Sequence, residues 1–269
     1  MLLFTTLYSG SSGNSTLIRS SSGALLIDMG CSCRRTLKEL YSLKIAAHDL
    51  CGILITHEHS DHIGGLKTFL KNYRVPVYGS RKTLEAIDEK GIFSPDTDVF
   101  SVEPGTCFDI SGMSVYPFRT SHDSADCVGY KITADGASLA VATDIGRITD
   151  EAWNALEGCE LVGLESNYDD NMLLTGPYTY QLKSRIRSAK GHLSNDDCAG
   201  AAVRLAQSGT RHMVLMHLSK ENNLPELALT CCLSALEDNG LSDRMNVRVA
   251  PRDLAGETIE IRQICKTSR

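Results

Sequence analysis

From Ile55 to Gly65 the chain reads Ile-Thr-His-Glu-His-Ser-Asp-His-Ile-Gly-Gly, so His57, His59, Asp61 and His62 offer four metal donors within six residues. The apolar run Cys51-Gly52-Ile53-Leu54-Ile55 predicts a buried strand before them. Gly64-Gly65, followed by the periodic Leu66, Phe69 and Leu70, predicts the start of a helix after them. The donors therefore stand on a loop at the end of a rigid element, a usual place for reactive groups. On an extended chain His57 and His59 point the same way and suit one cation, while Asp61 and His62, beyond the bend, suit a second. Imidazole and carboxylate donors that leave a place for water mark a catalytic site, whereas closed structural zinc sites commonly use cysteine. Two ions roughly 3.5–4 Å apart would clamp the attacking and leaving oxygens of a hydrolysis. The plainer account is a polar loop rich in histidine, and four donors at this spacing behind a core strand argue against it.

Other predicted strands end in the same kind of residue. Residues 24–27 lead to Asp28, residues 113–118 run into His122, and residues 138–143 end at Asp144. Residues 161–164 end at Glu165, and residues 212–216 end at His217. Asp28 suits either of two roles, orienting a metal-binding histidine from behind or capping the next helix. Asp144 is the candidate to bridge both ions, because an anionic oxygen between two cations reduces their repulsion. Strand after strand delivering His, Asp or Glu implies two sheets converging on one polar cleft with helices outside. The predicted fold is a four-layer αββα sandwich of the α/β class, with residues 1–269 as one domain.

Composition narrows the field. An apolar fraction of 42% suffices for a packed core, and no apolar run approaches the ~20 residues of a membrane span. The start of the chain lacks a signal peptide's basic region and cleavage site, so a cytoplasmic location is expected. The ten cysteines are scattered and read as reduced core residues, Cys31, Cys33, Cys231 and Cys232 included. A net charge of −6 excludes a protein coated in basic surface, so any nucleic acid must be held by a local strip and by metals. Further elements are expected as helices over 34–43, 66–73, 80–90, 181–189, 197–207 and 224–238, and strands over 246–249 and 258–264. A hairpin is expected at Ala134-Asp135-Gly136-Ala137.

The set His57-x-His59-x-Asp61-His62, His122, Asp144 and His217 resembles the metallo-β-lactamase superfamily along nearly the whole chain. The resemblance implies that one ion takes His57, His59 and His122, and the other Asp61, His62 and His217. Asp144 would then lie between them and Asp28 behind them. Zinc β-lactamases of the common type carry cysteine where Asp144 stands, which points away from antibiotic hydrolysis. Three further stretches are similar to the YycJ/WalJ-type group of metal-dependent 5′-to-3′ DNA exonucleases. They are Gly10-Ser11-Ser12-Gly13-Asn14-Ser15, Leu164-Glu165-Ser166-Asn167-Tyr168-Asp169, and Gly191-His192-Leu193-Ser194-Asn195 with His217-Leu218-Ser219-Lys220-Glu221-Asn222. The Glu165 and His192 stretches are more distantly similar to ribonuclease Z. That enzyme's long Gly/Pro-rich arm is absent, as is room for the domain inserted in nucleases that process messenger RNA ends.

The function so implied is a dinuclear phosphodiesterase acting on DNA with two divalent ions, Zn, Mn or Fe. A hydroxide bridging the ions would be the nucleophile, and His192 held by Glu165 would protonate the departing oxygen, with Asp61 among the catalytic groups. A competing reading makes His192 a ligand and His217 a core residue. Ser12, Asn14 and Ser219 are candidate substrate contacts, and Lys220 could touch the scissile phosphate. The run containing Lys183 and Arg187 is either a solvated helix face or a seat for DNA phosphates. The alternative functions are hydrolysis of a small ester, thioester, lactone or cyclic nucleotide, and, outside enzymes, a metal-binding regulator. His48 and His212 fit no ligand position.

Overall fold

A computed structural model describes residues 1–262; Cys265 and the end of the strand expected over 258–264 lie outside the described residues. One sheet holds β1 (Leu2–Tyr8), β2 (Ser15–Ser20), β3 (Gly23–Ile27), β4 (Leu50–Leu54), β5 (Val77–Ser80), β6 (Val99–Val102) and β14 (Ile259–Ile261), in the order β14-β1-β2-β3-β4-β5-β6. The other holds β7 (Phe108–Ile110), β8 (Met113–Arg119), β9 (Val128–Ala134), β10 (Ala137–Ala142), β11 (Leu161–Glu165), β12 (His212–Met216) and β13 (Asn246–Val249), in the order β13-β12-β11-β10-β9-β8-β7.

Strand alternation decides which side chains fill which layer. Leu25, Ile27 and Leu54 meet Val115, Val141, Val214 and Met216 between the sheets. Their neighbours Leu26 and Ile53 face outward, where α1 (Cys33–Ser42), α3 (Leu66–Leu70) and α4 (Arg81–Glu89) contribute Leu40, Phe69 and Ile87. Ala140, Val162 and Leu215 likewise face α5 (Asp150–Leu156), α8 (Asn195–Ser208) and α9 (Pro225–Asp238). Three buried interfaces make four layers, the expected αββα sandwich. Parallel pairing of β10, β11, β12 and β13 requires crossovers, which the intervening helices supply.

The expected hairpin joins β9 to β10, with Asp135 and Gly136 at φ 52° and 75°, the backbone a tight two-residue turn needs. Several expectations shift. The helix foreseen at Gly64-Gly65 is α3, with Gly65 at its N-cap, but it ends at Leu70 instead of near Tyr73; a short unforeseen helix, α2 (Ser60–Ile63), precedes it and carries Asp61 and His62. Two short helices escape sequence periodicity, α5 and α6 (Asp170–Thr175); Thr149 and Asp169 cap them by accepting from Ala152 and Met172 N–H. The segment expected over 181–189 ends earlier, as α7 (Tyr180–Ile186). The nine described cysteines are free, but Cys107 is exposed and Cys51 and Cys231 are half-buried, so they are not all core residues.

Candidate metal centre

β3, β4, β8, β10, β11 and β12 all end at one edge of the sandwich; β11 ends in Glu165, and each of the others is followed by a polar side chain of the site. Asp28, Asp144 and His217 stand one or two residues past their strands in left-handed backbone, φ 61°, 54° and 57°. Such conformations cost non-glycine residues on the order of 1 kcal/mol and gather where the surrounding structure imposes them. Gly30 lets the segment after β3 press against the ligand motif: a Cβ there would collide with the Asp61 carbonyl.

The donors converge as four overlapping sets: the two expected trios, His57 with His62 and Asp144, and Asp144 with Glu165, His192 and His217. His57, His59 and His122 bring ligand atoms within 4.8 Å of one another, as do Asp61, His62 and His217. Asp144 joins them, with His62 Nε2 at 3.1 Å, His217 Nδ1 at 3.6 Å and His122 Nε2 at 3.7 Å. His57 and His62 are fully buried, and their rings lie 4.1 Å apart.

Of the five imidazoles in the two trios, all but His59 are held from behind. Asp28 Oδ2 takes His62 Nδ1 at 2.8 Å, and both its oxygens also accept from Thr56, Oδ1 from the N–H and Oδ2 from Oγ1. Of the two roles left open for Asp28, orientation is the one observed; α1 is capped by Ser32. Thr56 Oγ1 also lies 3.0 Å from His57 Nδ1, and the Gly191 carbonyl 3.0 Å from His122 Nδ1. Glu165 Oε1 meets both His217 Nδ1 at 2.6 Å and His192 Nδ1 at 2.9 Å, while Oε2 accepts from the Ile145 and Leu193 N–H groups. Asn167 Nδ2 donates to the His217 carbonyl at 2.8 Å. Thr56, Asn167 and the Gly191 carbonyl were not foreseen; Thr56, next to the motif, is the one with a sequence signal.

Burial and charge compete at every group. Burial disfavours charge on Asp144, yet His217 and His62 outweigh it and hold the carboxyl well below the usual range. Glu165 is brought to about 2 against its own burial by His192 and His217. Burial opposes protonation of His62, but Asp144 and Asp28 raise its pKa well above that of free imidazole. His57 goes the other way, driven down by burial and then by His62, which leaves a neutral ring. Among the described residues its Nε2 has no hydrogen-bond partner, and Asp144 Oδ2 makes no well-aligned hydrogen bond although His62 Nε2 lies 3.1 Å away. Four carboxylates, Asp28, Asp61, Asp144 and Glu165, crowd one cleft around a neutral lone pair. That donor set fits divalent cations, which would neutralise the carboxylates and take the orphaned atoms.

The remaining expected residues are placed as follows. Ser12 and Lys220 are exposed on loops at the cleft's edge of the fold, and Ser219 is buried, its hydroxyl accepting from Asn222 N–H. Asn14 is buried beside His62. Lys183 and Arg187, expected as phosphate contacts, are engaged within the protein. Lys183 Nζ binds the Leu174 and Gly176 carbonyls at the end of α6, and Arg187 Nε faces Asp170 at 3.3 Å. His48 is exposed beside Asp49, and His212 sits at the far end of β12, so both stand apart from the site.

Facing sheets with this ligand cleft at one edge define a hydrolase of the metallo-β-lactamase fold. Sequence comparison bears this out: the family described as "Beta-lactamase superfamily domain" matches residues 24–218, and the chain belongs to that superfamily. Exodeoxyribonuclease YycJ of Bacillus anthracis is 35% identical over 239 residues, 89% of this chain and 90% of its own. Exodeoxyribonuclease WalJ of Streptococcus pneumoniae serotype 2 is 34% identical over 250 residues, 91% and 92% of the two chains. The fold of Zn-bound PqqB from Methylobacterium extorquens matches with a TM-score of 0.73 at 18% identity, over 96% of this chain and 100% of that one.

Proposed function

We propose that this chain is a dinuclear metal-dependent phosphodiesterase, a 5′-to-3′ exonuclease acting on DNA in the cytoplasm. The observation that carries the reading is the pair of ligand trios meeting at Asp144, with the Glu165–His192 pair beside them. Similarity to two named exodeoxyribonucleases over about nine-tenths of the chain supports DNA as the substrate.

His57, His59 and His122 would hold one ion, Asp61, His62 and His217 the other, and Asp144 both. Zn, Mn and Fe all suit such donors. When bound, the ions supply Lewis acidity toward phosphoryl oxygens and lower the pKa of water from ~15.7 to near 7. Glu165 binds His192 through Nδ1, which leaves Nε2 for the substrate. Burial lowers the imidazole's basicity, but Glu165 outweighs it and raises the His192 pKa above that of free imidazole, which favours the protonated ring. His192 then gives that proton to the departing sugar oxygen. Ser12 and Lys220, both exposed, would meet the strand, whereas Ser219 would act from below the surface.

The test loads the purified protein with Mn or Zn and offers 5′-labelled duplex DNA, a cyclic nucleotide and a lactone. Nucleotides released from the 5′ end are expected. His192→Ala should lose about 10²–10⁴ in turnover while keeping two equivalents of metal. Loss of one equivalent instead would make His192 a ligand, and hydrolysis of the lactone alone would remove the nuclease reading.

A further inference from the structure

Asn14 lies on the loop between β1 and β2, 3% exposed, and its surroundings fix which way its amide faces. Gly10 N–H donates to Asn14 Oδ1 at 2.9 Å. The residue's own N–H donates to the Asp61 carbonyl, and its carbonyl accepts from Gly30 N–H, each at 2.8 Å. Turned end for end, the amide would set its NH2 against the Gly10 N–H, donor to donor. The NH2 group therefore faces the cleft. There Nδ2 stands 3.0 Å from His62 Nε2 and 3.4 Å from Asp61 Oδ2, two atoms of one ligand trio.

An amide NH2 has no lone pair to offer a cation, so Asn14 is not a further ligand. It is a buried donor aimed at the ligand atoms themselves. Cation binding needs His62 neutral with its proton on Nδ1, where Asp28 holds it, so Nε2 is the ring atom left for the cation. Apart from Nε2, Nδ2 reaches only the Asp61 carbonyl and Oδ2, both at a long 3.4 Å, and a buried donor without a short acceptor is unfavourable. A phosphoryl oxygen brought to the same cation is an acceptor of the right charge in the right place.

We propose that Asn14 donates a hydrogen bond from Nδ2 to a non-bridging oxygen of the scissile phosphodiester. The proposal rests on the phosphodiesterase reading above and adds a residue that acts on the reacting group. Charge grows on those oxygens as the bond breaks, so a donor already fixed by Gly10 and Asp61 serves the transition state without rearranging.

Two variants separate this role from loop positioning. Asn14→Asp keeps an oxygen for Gly10 N–H but turns an anion toward the cations in place of the donor; Asn14→Ala removes both. Metal affinity is read without DNA, by competition with a chromophoric chelator, and folding by thermal melting. As a donor, Asn14 can be lost to alanine with no weakening of the second metal equivalent, and aspartate tightens it. In both variants kcat on DNA falls roughly a hundredfold while KM stays within about twofold. Loop positioning gives the reverse, with weaker metal binding in Asn14→Ala and near wild-type turnover in Asn14→Asp. Either of those results overturns the proposal. A wild-type protein with two ions that cleaves no phosphodiester would instead sink the reading on which it stands.

Discussion

Behind His57 and His122 stand neutral partners, Thr56 Oγ1 and the Gly191 carbonyl, each at 3.0 Å. Behind His62 and His217 stand carboxylates, Asp28 at 2.8 Å and Glu165 at 2.6 Å. The first trio is all imidazole, whereas the second contains Asp61 as well. One cleft thus holds two unlike half-sites. A carboxylate at the far nitrogen makes imidazole a more basic ligand, and an anionic ligand adds direct attraction. The half-site of Asp61, His62 and His217 should fill first and empty last, with the all-histidine half as the exchangeable one.

The largest effect expected is from Asp144→Ala, which removes the carboxylate common to both halves. Both metal equivalents should weaken, and turnover should fall by about 10³-fold or more, since several kcal/mol of charge stabilisation go with them. Elemental analysis after dialysis beside single-turnover kinetics checks this; a variant that keeps both ions would show that the halves do not share Asp144. Asp28→Asn sharpens the contrast. It should lower affinity by about 10–100-fold at one half only, seen as a single weakened phase in a chelator titration. Equal weakening of both phases would erase the distinction. The smallest effect concerns surface charge. Lys220→Ala should reduce the slope of log affinity for DNA against log salt by about one, whereas Lys183→Ala with Arg187→Ala should leave it unchanged. A reduced slope in the double variant would mean that these side chains leave α6 and Asp170 to meet DNA.

The same contrast marks how far sequence can be read. Asp28, Asp144, Glu165 and His217 were legible because each follows an apolar run of strand length, and strand direction gathers such ends at one edge. The ligand motif was legible for its density of donors. What supports the ligands was less so. The carbonyl that holds His122 belongs to Gly191, and any residue type supplies a carbonyl; only folding brings that loop against the one after β8. The α7 cations looked free because sequence cannot show that Lys183 closes the end of α6. The helix after Gly64-Gly65 was legible as α3, whereas α2, before it, was not, because four residues are too few to show a helical period.

Asp28, Asp144 and His217 sit in a conformation that glycine would accept without strain. Random drift toward easier folding would favour glycine at each, and every such exchange would erase a working side chain. At these three corners a sturdier molecule is an idler one, so a screen that selects for heat tolerance alone should be watched there for quietly inactivated winners.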